Sequence, residues 1–222
     1  MIRIRQIALV AADLDGAIAE LSTALDADVI HRDPGVAEFG LHNALFCIGD
    51  QFIEIVSPID DNTTAGRLLD KRGGDGGYMA IYDTDSVDER VATAKSAGVR
   101  FVWEGSIPGI RGHHMHPRDT SGTLVSIDQT DVVGEWPWAG EKWKHRRESS
   151  VTNGIVGFEV SVTNPIASEA RWTELGIFHN VSFTPLTSRG EGLHTVFLKS
   201  VDPRRHGEEF EAVGTRFCLV NS

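Results

Sequence analysis

Apolar and polar residues alternate over short stretches of this chain, and each early stretch is followed by a helical spacing. Gln6-Ile-Ala-Leu-Val10 alternates as a strand does, and Asp13-Leu14-Asp15 then opens a helix running to about Asp26. Tyr78-Met-Ala-Ile-Tyr82, then Asp85-Ser-Val-Asp88 and a helix up to Gly98, repeat that pattern. A shift of 72 residues carries Gln6 onto Tyr78, Ala27-Asp-Val-Ile30 onto Val99-Arg-Phe-Val102, and Phe52-Ile-Glu-Ile-Val56 onto Leu124-Val-Ser-Ile-Asp128. One constant shift for first strand, helix, second strand and last strand predicts a duplicated βαβββ unit. A third copy starts at Gly157-Phe-Glu-Val-Ser-Val162. Asn164-Pro165 opens its helix, Gly176 ends it, and Arg216-Phe-Cys-Leu-Val220 is its last strand. This copy is longer than the others, and the excess is placed at Pro203–Glu209.

The expected fold class is α+β: repeated βαβββ units curling into incomplete half-barrels. Units one (2–58) and two (77–129) are expected to form one barrel within residues 1–130. Residues 131–153 then form a tryptophan-rich linker, and 154–222 a third, divergent unit. The connector 59–77 contains Gly73-Gly-Asp-Gly-Gly77 without a following Gly-Lys-Ser/Thr, so it reads as a flexible linker and not a phosphate loop. Trp136, Trp138 and Trp143 either anchor the second connector over the core or form a lid over a pocket.

Alternation also sorts the strand faces. One face carries Ile7 and Leu9, Met79 and Ile81, and Phe158, Val160 and Val162, and is expected beneath the helices. The opposite face carries Gln6, Ala8 and Val10, then Tyr78, Ala80 and Tyr82, then Gly157, Glu159 and Ser161, and is expected to line a cavity. In the last strands Phe52, Glu54 and Val56 join Gln6 on that face, and Leu124, Ser126 and Asp128 join Tyr78. Gly40-Leu-His42, Gly112-His-His114 and Gly192-Leu-His194 read as one position in three copies. His42 and His194 lie on otherwise apolar faces, where a histidine is usually structural. His114 and His116, two apart on one strand face near Tyr78 and Ser126, are the better functional candidates.

Charge narrows the partners. The formal net charge of −11 repels a polyanion, so nucleic acid is not an expected partner, and the short basic run Lys142–Arg147 reads as a solvated connector. No stretch approaches the ~20 apolar residues of a membrane helix. With two cysteines and no signal-peptide pattern, a reducing cytoplasm is the simplest location.

The repeated unit resembles the vicinal-oxygen-chelate superfamily, which includes glyoxalase I, methylmalonyl-CoA epimerases, extradiol dioxygenases and bleomycin-resistance proteins. His116-Pro-Arg-Asp-Thr-Ser-Gly-Thr-Leu-Val-Ser126 is similar to the His-Pro hairpin of the epimerases. The likeness covers residues 2–130 well and 154–222 less closely. It implies an incomplete barrel around a divalent metal (Zn, Ni, Co, Mn or Fe) held by the first and last strands of two units. Carried over, those positions are Gln6, Glu54, Tyr78 and Ser126. The first two fit the family, whereas Tyr78 and Ser126 are poor ligands for a divalent ion.

Three readings follow. A metal is recruited through His116 or His114 together with Gln6 and Glu54. Alternatively, Glu54 or a histidine such as His116 acts as a metal-free base while Tyr78 donates to an oxyanion. In the third, the pocket only sequesters a small molecule, as bleomycin-resistance proteins do. There the acidity suits a cationic ligand, and Tyr78, Tyr82 and the tryptophans serve as walls. His114, Ser126 and Tyr82 are the expected ligand contacts. The preferred reading is a lyase or isomerase, epimerase-like, acting on a small oxygenated or thioester substrate. Iron chemistry of the dioxygenase kind requires His114 and His116 to converge with Glu54. An odd number of units leads us to expect a homodimer.

Overall fold

The computed structural model describes residues 1–221. The first unit comprises β1 (Ile2–Val10), α1 (Leu14–Leu25), β2 (Val29–His31), β3 (Leu41–Ile48) and β4 (Gln51–Pro58). Asp13 starts α1 by accepting a hydrogen bond from the Asp15 amide, and Asp26 ends it in the left-handed region at φ 47°. The connector expected to be flexible holds a helix, α2 (Thr64–Arg72), and its last glycines already belong to the next strand. The second unit follows as β5 (Gly76–Thr84), α3 (Val87–Ser96), β6 (Phe101–Ile107), β7 (Ile110–Met115) and β8 (Leu124–Thr130).

These strands form one eight-stranded sheet in the order β2-β3-β4-β1-β5-β8-β7-β6. In each half the first strand runs parallel to the last, and the halves join where β1 meets β5 antiparallel. The order therefore reads alike from either end, as duplication predicts. The join is irregular in two places: Arg5 and Tyr78 drop out of the pairing, so Ile4 faces Tyr82 but Gln6 faces Ile81, and Ala8 faces Met79 but Leu9 faces Gly77.

Such bulges reset side-chain alternation. Beyond Tyr78 the faces are the reverse of those expected: Met79 and Ile81 turn to the cavity, while Ala80 and Tyr82 enter the core. Register gives the same correction. Gln6 stands beside Phe52 and Met79 beside Leu124, so the counterpart of Gln6 is Met79 and not Tyr78.

The remaining elements are β9 (Thr152–Val162), α4 (Pro165–Glu174), β10 (Val181–Pro185), β11 (Gly192–Ser200), β12 (Glu209–Ala212) and β13 (Thr215–Val220). Asn164 caps α4 through the Ala167 amide, with Pro165 at its first position. The second sheet has the order β10-β9-β11-β13-β12. Its last strand runs parallel to β11 and does not return to β9, so the third copy keeps the order of elements but pairs them differently. A short 3-10 turn at Pro203–Arg205 and the added β12 occupy the expected insertion.

Phe158, Val160, Val196 and Phe217 of this second sheet share one core with Ile7, Leu9, Ile53 and Tyr82 of the first. The second sheet thus covers the outer face of the barrel and leaves the inner face free. The linker is anchored on the other side. The guanidinium of Arg5, fully buried, lies 5.4–5.6 Å from the ring centres of Phe52, Trp136 and Trp143 and donates to Asp50 and to the Gly134 carbonyl.

A candidate ligand cavity in the paired barrel

The inner face of the first sheet encloses a cavity of about 390 Å³. Both halves line it: Gln6, Asn43 and Glu54 from the first, Met79, Ile81, His114 and Asp128 from the second, with Tyr78 at the join and Trp138 from the linker.

In the first half, hydrogen bonds fix the identity of every polar atom. Trp136 Nε1, a donor only, lies 2.9 Å from Gln6 Oε1. Gln6 Nε2 is thereby turned to Glu54 Oε2 at 2.8 Å. Asn43 accepts from the Asp33 amide and donates to Glu54 Oε1 at 2.6 Å. Both oxygens of Glu54 are thus held by amide donors. Burial raises its carboxyl above the ordinary value, opposed by these two bonds and assisted by the nearby charge of Asp33.

The second half places its carboxyl two residues further along. Asp128 accepts from Ser126 Oγ and, at 2.8 Å, from Trp138 Nε1. Burial pushes its pKa up to about 7. Gly112 stands opposite Asp128, and a methyl group there would approach its carboxylate oxygens to 3.0 Å. Two half-buried polar groups face the cavity uncommitted. Among the described residues, neither the Tyr78 hydroxyl nor the His114 ring has a hydrogen-bond partner. Desolvation pushes Tyr78 up to about 12 and His114 down to about 3, so both are neutral near pH 7.

The predicted site residues divide accordingly. Gln6, Glu54, Tyr78 and His114 meet at the cavity. Ser126 is fully buried behind it and supports Asp128. Tyr82 lies in the core, where its hydroxyl donates to the His179 carbonyl at 3.0 Å, because the bulge turned it away. His116 caps the turn Pro117–Asp119, its Nδ1 accepting from the Arg118 amide at 3.1 Å, and does not line the cavity. Its proline ends β7, so alternation with His114 stops there. The shift of 72 also fails in these strands. His114 pairs with Ser126 as Leu45 pairs with Glu54, which leaves His42 exposed on β3. Sequence reasoning put Asp128 on the inner face without giving it a role; its alternation with Ser126 was the available signal.

A divalent metal does not fit this donor set. Its family positions are Gln6, Glu54, Met79 and Ser126. The Gln6 oxygen and both Glu54 oxygens already accept hydrogen bonds, Met79 offers only a thioether, and Ser126 is turned to Asp128. Among the described residues no group of three His, Cys, Asp or Glu side chains converges as an ion would require.

No curated protein sequence matches the chain. Its structure is similar to a variant of the Streptomyces coelicolor methylmalonyl-CoA epimerase in complex with 2-nitronate-propionyl-CoA. The identity is 23%, over 59% of this chain and 98% of that one, at a TM-score of 0.53. A methylmalonyl-CoA epimerase in complex with methylmalonyl-CoA and NH4+ is 25% identical over 59% and 96% of the two chains, at 0.52. The Mycobacterium tuberculosis methylmalonyl-CoA epimerase is 24% identical over 58% and 88%, also at 0.52. The family model described as a glyoxalase-like domain matches residues 7–176, more than half of the chain. The chain belongs to the glyoxalase-like domain family.

Proposed function

We propose that the protein is an isomerase or lyase of the epimerase type that moves a proton beside a carbonyl group of a small oxygenated compound. The observation that carries this reading is one buried carboxyl on each half of the barrel, Glu54 and Asp128, both lining a single cavity. Inverting a carbon centre needs a base on one side and an acid on the other. The duplicated scaffold supplies a group from each half, and their different surroundings allow one to be ionised while the other holds its proton. The ionised carboxyl takes the proton from carbon, and the electron pair moves onto the carbonyl oxygen. The protonated carboxyl then returns a proton to carbon from its own side. The uncommitted Tyr78 hydroxyl is the donor available to the oxygen as charge develops. Epimerases among the similar structures support the class of reaction.

Sequestration without turnover is the competing reading, favoured by the aromatic side chains Phe39, Trp103 and Trp138 in the cavity wall. Proton NMR in D2O separates the two. A panel of 2-substituted acyl thioesters and hydroxyketones is incubated with wild type, Glu54→Gln and Asp128→Asn after chelator treatment. Loss of the carbon-bound proton signal in wild type but in neither variant is the expected result. Binding without exchange for every compound would leave only sequestration.

A further inference from the structure

The entrance of the cavity differs chemically from its floor. Four rings gather there. Trp103 lies 4.4 Å from His114, 5.8 Å from Phe39 and 6.2 Å from Trp138, measured between ring centres. Phe39 and Glu38 are exposed, so this end opens to solvent. Trp103 Nε1 donates to Glu38 Oε1 at 2.9 Å, which places a carboxylate at the edge of the indole and enriches its face in electron density.

Charge points the same way. Five carboxyl groups line the cavity (Asp33, Glu38, Glu54, Glu104 and Asp128), and among the described residues no lysine or arginine does. Glu104 has a cation beside it, Lys95 at 3.1 Å, whereas among the described residues Asp33 and Glu38 have none. A wall of aromatic faces beside the carboxylates of Asp33 and Glu38 attracts a positive group and repels phosphate. The His114 ring, without a hydrogen-bond partner among the described residues, stacks on Phe39 at 6.2 Å and lies tilted against Trp103, and it adds a neutral nitrogen that accepts a hydrogen bond from an N–H of such a group.

We infer that the substrate of this cavity carries a compact organic cation, an ammonium or amidinium group, held at the entrance by Phe39, Trp103, Trp138 and Glu38. The carbonyl end of the same molecule then reaches Tyr78 and the two buried carboxyls. This inference deepens the proton-transfer reading and rests on the same cavity. It also sets the protein apart from an enzyme of coenzyme A esters, since coenzyme A would bring several phosphates to an acidic entrance.

The test is titration of the full chain, followed by tryptophan fluorescence and calorimetry. The probes are choline, its uncharged carbon isostere dimethylbutanol, and propionyl-CoA. The expected result is choline binding about tenfold tighter than the isostere, with propionyl-CoA weakest. Glu38→Gln, at an exposed position, reduces that preference several-fold without changing the affinity for the isostere. Trp103→Leu removes the preference and the fluorescence response together. Equal binding of choline and the isostere, no choline binding, or tighter binding of propionyl-CoA would each overturn the inference. Deuterium exchange is scored separately. Exchange without a cation preference sinks this inference alone, whereas a cation preference without exchange sinks the catalytic reading alone.

Discussion

The two halves of the barrel carry the same backbone and different chemistry. In the first half the carboxyl sits at Glu54, whose counterpart in the second is Ser126. In the second it sits at Asp128, whose counterpart in the first is Val56. Two residues along a strand keep a side chain on one face and move it by about 7 Å. The strand order is the same in the two halves, while the two carboxyls stand at different levels of the cavity. Each half has tied its carboxyl to the linker, Glu54 through Gln6 and Trp136, Asp128 directly through Trp138.

The comparison breaks first if one half proves chemically idle. Glu54→Gln and Asp128→Asn are each expected to slow proton exchange by about a hundred- to ten-thousand-fold, with ligand affinity kept within several-fold. Tyr78→Phe should cost about a hundredfold as the loss of one oxyanion donor. Single-turnover exchange rates check all three. A variant retaining the wild-type rate would remove its half from the mechanism.

Structural dependence on the linker comes next. Trp136 is fully buried, stacked 6.4 Å from Phe52, and its loss leaves the Gln6 oxygen unpaired. Trp136→Ala is expected to lower stability by about 3–5 kcal/mol in urea unfolding. Trp138→Ala should cost less, since its ring is only partly buried. A linker that merely drapes over the surface would show neither loss.

Asp128 also sets a pH dependence. Its carboxyl is held near 7 in the fold, against about 4 in an unfolded chain. Between those values the folded state binds more protons, so this group's contribution is fully present below about pH 4 and is lost as pH rises through 7. The expected fall is on the order of 2–4 kcal/mol, with Glu54 adding a change of the same sign. Asp128→Asn should flatten that part of the curve. Unfolding midpoints at pH 5 and pH 8 for both proteins decide it, and parallel curves would place Asp128 in water.

Much of this was legible in the chain. The shift of 72 located the last strands, and through them Glu54 and the face of Asp128, because an unbroken strand keeps its alternation. Asp13 and Asn164 announced their helices by capping chemistry. The bulges at Arg5 and Tyr78 were not legible, since a bulge is set by the register of the neighbouring strand and not by its own residues. His116 misled for a related reason: a proline after it converts a strand residue into a turn cap. Trp138 was legible as a wall or lid, but Phe39 and Trp103 escaped because they come from two other segments that only the fold brings to it.

The smallest expected effect isolates the bulge itself. Tyr78 and Tyr82 are four residues apart and would share a face on a regular strand, yet one lines the cavity and the other donates to the His179 carbonyl within the core. Tyr82→Phe removes that single hydrogen bond and leaves the ring packed against Phe158. It should cost about 1 kcal/mol of stability and leave exchange and ligand binding unchanged. Tyr78→Phe should do the reverse, because its hydroxyl has no protein partner to lose. If Tyr82→Phe instead impaired exchange, the strand would be regular in solution and the inner face would be the one that simple alternation gives.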